Sequence, residues 1–334
     1  MDETELFCIG NALVDVFAQA DEKLCDSYGI TTPVQHIEME ELTSILSALP
    51  EYITVSGGGA ANTAKVAGFL GARACFTGAI GRKNTPDNFG RIFEKDLAAS
   101  SVKLNLKIKP LPTGICLILK TGENKTRIAA APSAAMELSE DDINEEDVKK
   151  TKLVVVDGYM LWRPGFVRHI LNLADKYGKP AAIDLGSPGI AREKAADVEE
   201  YARKYPLILF MNEEEADAFY IGLYRGLQGI KPLDQFFRSF TTGNSWPIIA
   251  VKLGSLGAIC FSGGEMHQNG TKAINALETT GAGDAFSAGF LTAWVRNKPL
   301  PECAAMGNKA AALVLGAEGS QMENSGPVEP LFSE

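Results

Sequence analysis

The run Glu278-Thr279-Thr280-Gly281-Ala282-Gly283-Asp284-Ala285-Phe286 combines a glycine-rich turn with a carboxylate, residue types that could act on an anionic group. Two glycines bracket an alanine just before a segment in which Phe286, Phe290 and Trp294 recur every four residues, the signature of a helix face. A glycine-rich turn opening a helix directs several backbone N–H groups outward, and the helix dipole adds positive potential there. Such a nest can hold the charge that develops during phosphoryl transfer. Asp284, in the first turn, is expected to stay ionised and to accept a proton from an attacking hydroxyl, a role that contributes about 10²–10⁴-fold. The plainer alternative is a helix start with Asp as capping residue.

Three other runs have chemical potential. Ser56-Gly57-Gly58-Gly59-Ala60-Ala61-Asn62 permits close backbone approach to a ligand, and Asn62 offers both donor and acceptor. Asp15, placed at the end of the first strand in Gly10-Asn11-Ala12-Leu13-Val14-Asp15, would pair with Asn62 in binding vicinal hydroxyls such as those of a sugar. Asn212-Glu213-Glu214-Glu215 stands where a strand meets a helix, so it either organises a hydrated Mg²⁺ or simply complements the helix dipole. Val251-Lys252-Leu253-Gly254-Ser255-Leu256-Gly257 either admits a nucleotide or forms a plain turn.

Several templates are missing. The chain contains no G-x-x-x-x-G-K-[ST] loop and no H-R-D or D-F-G set. The glycines at 57–59 run into Asn62, which departs from a dinucleotide fingerprint. Three histidines (His36, His169, His267) in unremarkable settings give little support to a Ser–His–Asp hydrolase. With six scattered cysteines and no C-x-x-C, they also speak against a zinc site. The triplets starting at Asn124 and Asn269 read as chance matches to the glycosylation pattern.

The 334 residues carry 32 Lys and Arg against 42 Asp and Glu, a net charge of −10, and 46% are hydrophobic. That suits one large α/β core, and the acidic balance speaks against a nucleic-acid partner. No apolar run approaches the ~20 residues of a membrane helix, and the acidic start MDETELFCIG does not resemble a signal peptide. A cytoplasmic location, without a membrane partner, is expected.

Short β-branched runs alternate with helical patterns, as in βα units on a mainly parallel sheet. Strands are expected at Leu6–Gly10, Cys75–Ile80, Leu153–Asp157, Ala181–Asp184, Leu207–Met211 and Ile248–Lys252, with Leu256–Cys260 as a hairpin neighbour. Helices are expected at Ala60–Leu70, Asp87–Ala98, Phe166–Lys176, Ala282–Arg296 and Leu300–Leu315. The texture changes at Lys103–Ile108, Ile115–Lys120 and Lys125–Ala130, three strands in succession joined at the last turn by Thr121-Gly122-Glu123-Asn124. With Val14–Ala20 they predict a small separate sheet, so the expectation is one domain over 1–334 with a β-lid from about 12–35 and 103–131.

Taken in order, these motifs resemble the ribokinase or PfkB-type family of carbohydrate and nucleoside kinases, over nearly the whole chain and nearest to its adenosine-kinase-like branch. The resemblance implies an α/β fold, a three-layer α/β/α sandwich with a central mostly parallel sheet plus a small β-sheet lid. It implies ATP and Mg²⁺ as requirements. Asp284 would be the general base, and Gly281, Ala282 and Gly283 the anion hole. Asp15, Gly57, Gly58 and Asn62 would hold the substrate. Asn212 and Glu215 would place Mg²⁺ and the phosphates, while Lys252, Gly254, Gly257 and Asn308 would border the nucleotide.

Two departures stand out. Glu278 occupies a position where many members carry Asp beside a monovalent-cation site, and its longer side chain weighs against potassium (K⁺) activation. The Gly81–Asp87 turn is longer than usual. The leading reading is a kinase transferring the ATP γ-phosphate to a primary hydroxyl of a small sugar such as ribose or fructose. The alternative acceptor is adenosine or another nucleoside, with Phe17, Leu117 and Met136 as candidates for a base slot. From other classes, a non-catalytic sensor and a nicotinamide-dependent oxidoreductase remain for comparison. The resemblance leaves a homodimer through the lid open.

Overall fold

In the computed structural model, which describes residues 3–30, 34–82, 86–122, 125–224, 232–243, 245–271 and 280–316, a nine-stranded sheet forms the centre. From one edge its strands are Glu265–Asn269, Ala258–Ser262, Ile248–Lys252, Leu207–Asn212, Ala181–Asp184, Thr151–Asp157, Thr4–Ile9, Ala74–Thr77 and Lys103–Leu104. Seven run parallel, and the first two attach as an antiparallel hairpin. The parallel strands are nearly continuous apolar runs because both faces are covered.

The alternation within Thr4–Ile9 shows the layering. Leu6 and Cys8 pack with the helices Gly59–Phe69, Ala282–Trp294 and Leu300–Leu315. Phe7 and Ile9 point to the other face, towards Pro164–Lys176, Ala195–Lys204, Glu213–Leu223 and Leu233–Phe240. This is the three-layer arrangement expected. In the helix Ala282–Trp294, Phe286 and Phe290 both meet Phe210 edge-on, which anchors its first turn over the sheet.

The small sheet has five strands, in the order Val34–His36, Thr126–Ala131, Gly114–Lys120, Leu13–Gln19 and Ile53–Gly57. Its composition differs from the expectation of three successive strands. Lys103–Leu104 pairs with Ala74–Thr77 on the edge of the large sheet, and Lys107–Lys109 pairs with Ala79–Gly81 as a separate ribbon. Ile53–Gly57, expected as a short strand at Tyr52–Val55 but not as part of the lid, takes the edge beside Leu13–Gln19. Asp15 therefore sits inside a strand of the small sheet, not at the end of the first strand of the large one. Cys75–Ile80 is two strands separated at Gly78.

Of the cysteines, five are buried and Cys116 is half-buried; all six are free. No helix among the described residues is long and apolar enough to cross a membrane. Glu278, Thr279, Lys83–Thr85 and the turn residues Glu123 and Asn124 lie outside the described residues.

Candidate active site

The parallel strands end in a row of polar residues. Asp157 and Asp184 are register partners on adjacent strands, as are Asn212 and Lys252. Ligands of open α/β sheets bind beyond these carboxyl ends. Two cavities lie there.

The smaller, about 450 Å³, is lined by Gly281, Ala282, Gly283, Asp284, Lys252, Gly254, Gly257, Asn308, Asn212 and Glu215, joined by Asp184 and Phe286. Every residue expected for catalysis, nucleotide and metal thus faces one space. Gly281, at φ 79°, caps the helix Ala282–Trp294 in the left-handed conformation that favours glycine. The helix's first backbone bond is from Ala285 N–H to Gly281 O, so the N–H groups before it have no intrahelical partner. Lys252 Nζ donates to both Asp184 oxygens, at 2.9 and 2.7 Å, and Ser287 Oγ donates to Asp184 Oδ2 at 2.8 Å. Asn212 and Glu215 form a reciprocal capping box: Glu215 N–H donates to Asn212 Oδ1 at 2.8 Å, and Asn212 N–H to Glu215 Oε2 at 2.9 Å. Asn308 Nδ2 donates to Asn269 O and Oδ1, which ties the last helix to the hairpin.

Asp284 behaves differently from the helix-dipole expectation. Burial, with the nearby Asp184 charge, raises its pKa to about 7, although Asn62 and Lys252 pull the other way. Near neutrality it is divided between acid and carboxylate.

The larger cavity, about 1000 Å³, is lined by Asp15, Gly58, Gly59, Asn11, Asp157 and Tyr159, and by an apolar wall that includes Leu13, Val34, Ile37, Met39, Leu111 and Met136. Of the residues expected to hold substrate, Asp15 and Gly58 face it, whereas Gly57 and Asn62 do not line it. A Cβ on Gly57 would lie 2.3 Å from Asp15 Cγ, so glycine is needed to seat that carboxylate. Gly58, at φ 100°, lets the chain pass Asn11 O, where a Cβ would come to 2.2 Å. Asn62 Nδ2 donates to Asp284 Oδ2 at 2.9 Å. Burial raises the Asp15 pKa to about 7, against the opposing effects of Lys65 and a hydrogen bond with Cys116. Of the candidates for a base slot, Met136 lines this cavity, Leu117 is fully buried in the core, and Phe17 is half-buried and does not line it.

The cavities approach each other at Gly59. A Cβ there would stand 3.5 Å from Asp284 Oδ1 and 3.8 Å from Asp157 Cγ. Gly59, Asp157, Asp184 and Ser287 were not among the expected site residues. The two aspartates had a readable signal: Asp184 closes an otherwise apolar strand, and Asp157 ends one that is apolar from Leu153 onward.

Known proteins resemble the chain over nearly its whole length. The model of the pfkB family of carbohydrate kinases matches residues 22–325. Adenosine kinase 2 of Arabidopsis thaliana is 26% identical over 339 aligned residues, covering 94% of each chain. The crystal structure of adenosine kinase from Sinorhizobium meliloti superposes with a TM-score of 0.83 at 27% identity, over 96% of each chain. Adenosine kinase from Schistosoma mansoni, in complex with 2-fluoroadenosine, shares the fold with a TM-score of 0.82 at 22% identity, over 97% of this chain and 98% of that one. The chain belongs to the pfkB family of carbohydrate kinases and is a phosphotransferase acting on an alcohol group.

Proposed function

We propose that this kinase phosphorylates the primary hydroxyl of a nucleoside, with adenosine the first candidate, at the expense of ATP. The observation that carries this reading is the wall of the larger cavity. Beyond Asp15 it is lined by Leu13, Val34, Ile37, Met39, Leu111 and Met136. A bare sugar has little apolar surface to bury there, whereas a flat base has a good deal. The adenosine kinases among its relatives favour the same reading over ribose or fructose.

Asp15 would accept hydrogen bonds from the ribose hydroxyls, and the primary hydroxyl would reach the junction at Gly59. Asp284 Oδ2 is held by Asn62, which leaves Oδ1, the oxygen nearer Gly59, to take the proton. The unpaired N–H groups at the start of Ala282–Trp294 would hold the charge of the transferring group. The small sheet, as a lid, would keep water from the junction.

The donor set fits a hydrated Mg²⁺ shared with the triphosphate. Glu215 and Asp184 already accept hydrogen bonds from Asn212, Lys252 and Ser287, and each carboxylate keeps lone pairs for metal-bound water. When bound, that ion would neutralise charge on the phosphates. Among the described residues no cluster of three or more acidic, His or Cys side chains forms a protein-only cage.

Incubation with ATP, Mg²⁺ and adenosine should yield AMP and ADP in equal amounts by mass spectrometry. ADP without AMP, or preferential phosphorylation of ribose or fructose, would overturn the assignment.

A further inference from the structure

We propose that Lys252 is a catalytic cation that contacts the transferring phosphoryl group, with Asp184 and Ser287 as its positioning residues. The inference rests on the kinase reading above and deepens it, because bordering the nucleotide requires only bulk, whereas this role requires a charge at one place.

Lys252 Nζ lies in the glycine turn itself, 3.2 Å from where a Cβ on Gly283 would be. An ammonium carries three protons, and Asp184 accepts from it at two oxygens, so one proton stays free for a ligand. The side chains of Lys252 and Asp184 are 15% and 19% exposed, so the pair is reachable from the cavity.

Burial opposes the charge, and Asp184, Glu215 and Asp284 together hold the ammonium in its protonated form. The start of a helix already has positive potential, and a cation set against it is unfavourable unless an anion is present. Removing an ion pair from water seldom returns its own cost. Asp184 offsets part of that cost by holding the lysine. Ser287 in turn fixes Asp184 from the same helix that carries Asp284, one turn later. Base and cation are therefore referenced to a single rigid element. An oxyanion between Lys252 and the N–H groups of the turn would satisfy both.

The test uses ADP with aluminium fluoride, a mimic of the phosphoryl group in flight, alongside steady-state kinetics. In the wild type, aluminium fluoride should tighten ADP binding. In Lys252→Met that tightening should fall at least tenfold, with affinity for ADP alone and acceptor KM changed less than about threefold. Its kcat should drop about 10²–10³-fold, the scale of losing one group that stabilises transition-state charge. Lys252→Arg should recover part of kcat. Undiminished tightening, a wild-type kcat, or a loss of ADP affinity and melting temperature large enough to account for the lost rate would overturn the proposal. If Lys252→Met does not fold, Ser287→Ala replaces it, with kcat expected to fall about tenfold at unchanged acceptor KM; an unchanged kcat there would count against it. Tightening that depends on Lys252, in a protein that phosphorylates no nucleoside, would sustain this inference while the substrate assignment falls.

Discussion

Asn62 donates its side-chain amide to Asp284 Oδ2 at 2.9 Å, joining residues 222 positions apart. The bond links the glycine run beside the larger cavity to the helix that opens on the smaller one. It makes Asn62 a partner of Asp284, the proposed base, where the sequence alone suggests a partner of the substrate.

Removing that bond has a predictable sign. It favours the charged form of Asp284, so Asn62→Ala should raise the pKa above about 7 and move the acidic limb of the kcat profile to higher pH. An unmoved limb would mean that Asn62 does not govern the base.

Asp284→Asn should lower turnover about 10²–10⁴-fold and still bind ATP. It should also stabilise the fold. The folded pKa of Asp284 is about 7 against an ordinary 3.8, so its stabilising contribution is complete below about pH 3.8 and is lost as pH rises through about 7. A neutral amide loses nothing over that window. The melting temperature of the variant should therefore exceed wild type by more at pH 8 than at pH 4, which calorimetry can read.

Gly59→Ala separates folding from reaction. The added Cβ would meet its neighbours at ordinary contact distances, 3.5 Å and beyond, and glycine costs a helix at most about 1 kcal/mol relative to alanine. Stability should hold or rise slightly, while kcat/KM falls at least tenfold because the methyl occupies the junction. Unchanged kcat/KM would place the reacting hydroxyl elsewhere.

Acceptor binding should depend on Asp15. Its pKa near 7 means that the carboxylate form, the better acceptor for two hydroxyls, grows between pH 6 and 8, so acceptor KM should fall across that range. Lys65, whose Nζ lies 3.2 Å from Ser56 Oγ and 3.3 Å from Asp96 Oδ2, pulls the Asp15 pKa down. Lys65→Met should shift the fall in KM to higher pH; a KM independent of pH in both proteins would rule out the role given to Asp15.

The large sheet was legible where burial dictates composition. Ala181–Asp184 and Ile248–Lys252 have the bounds that their apolar pattern predicts, since strands covered on both faces admit little else. The small sheet was less legible. Lys103–Leu104 and Ile53–Gly57 are edge strands, and which sheet takes a short edge depends on neighbours distant in sequence. The charge state of Asp284 was hidden for a related reason. A local reading sees the dipole of its own helix, while the shift comes from burial and from Asp184, one hundred positions away at the end of a strand.

The most direct test of the account is the ratio of kcat/KM for adenosine to that for ribose, measured with ATP and Mg²⁺ and with Asp284→Asn as control. The account predicts a ratio of at least 100 and activity on both that falls about 10²–10⁴-fold in the variant. A ratio near or below one would contradict the nucleoside assignment, and wild-type turnover in the variant would contradict the base.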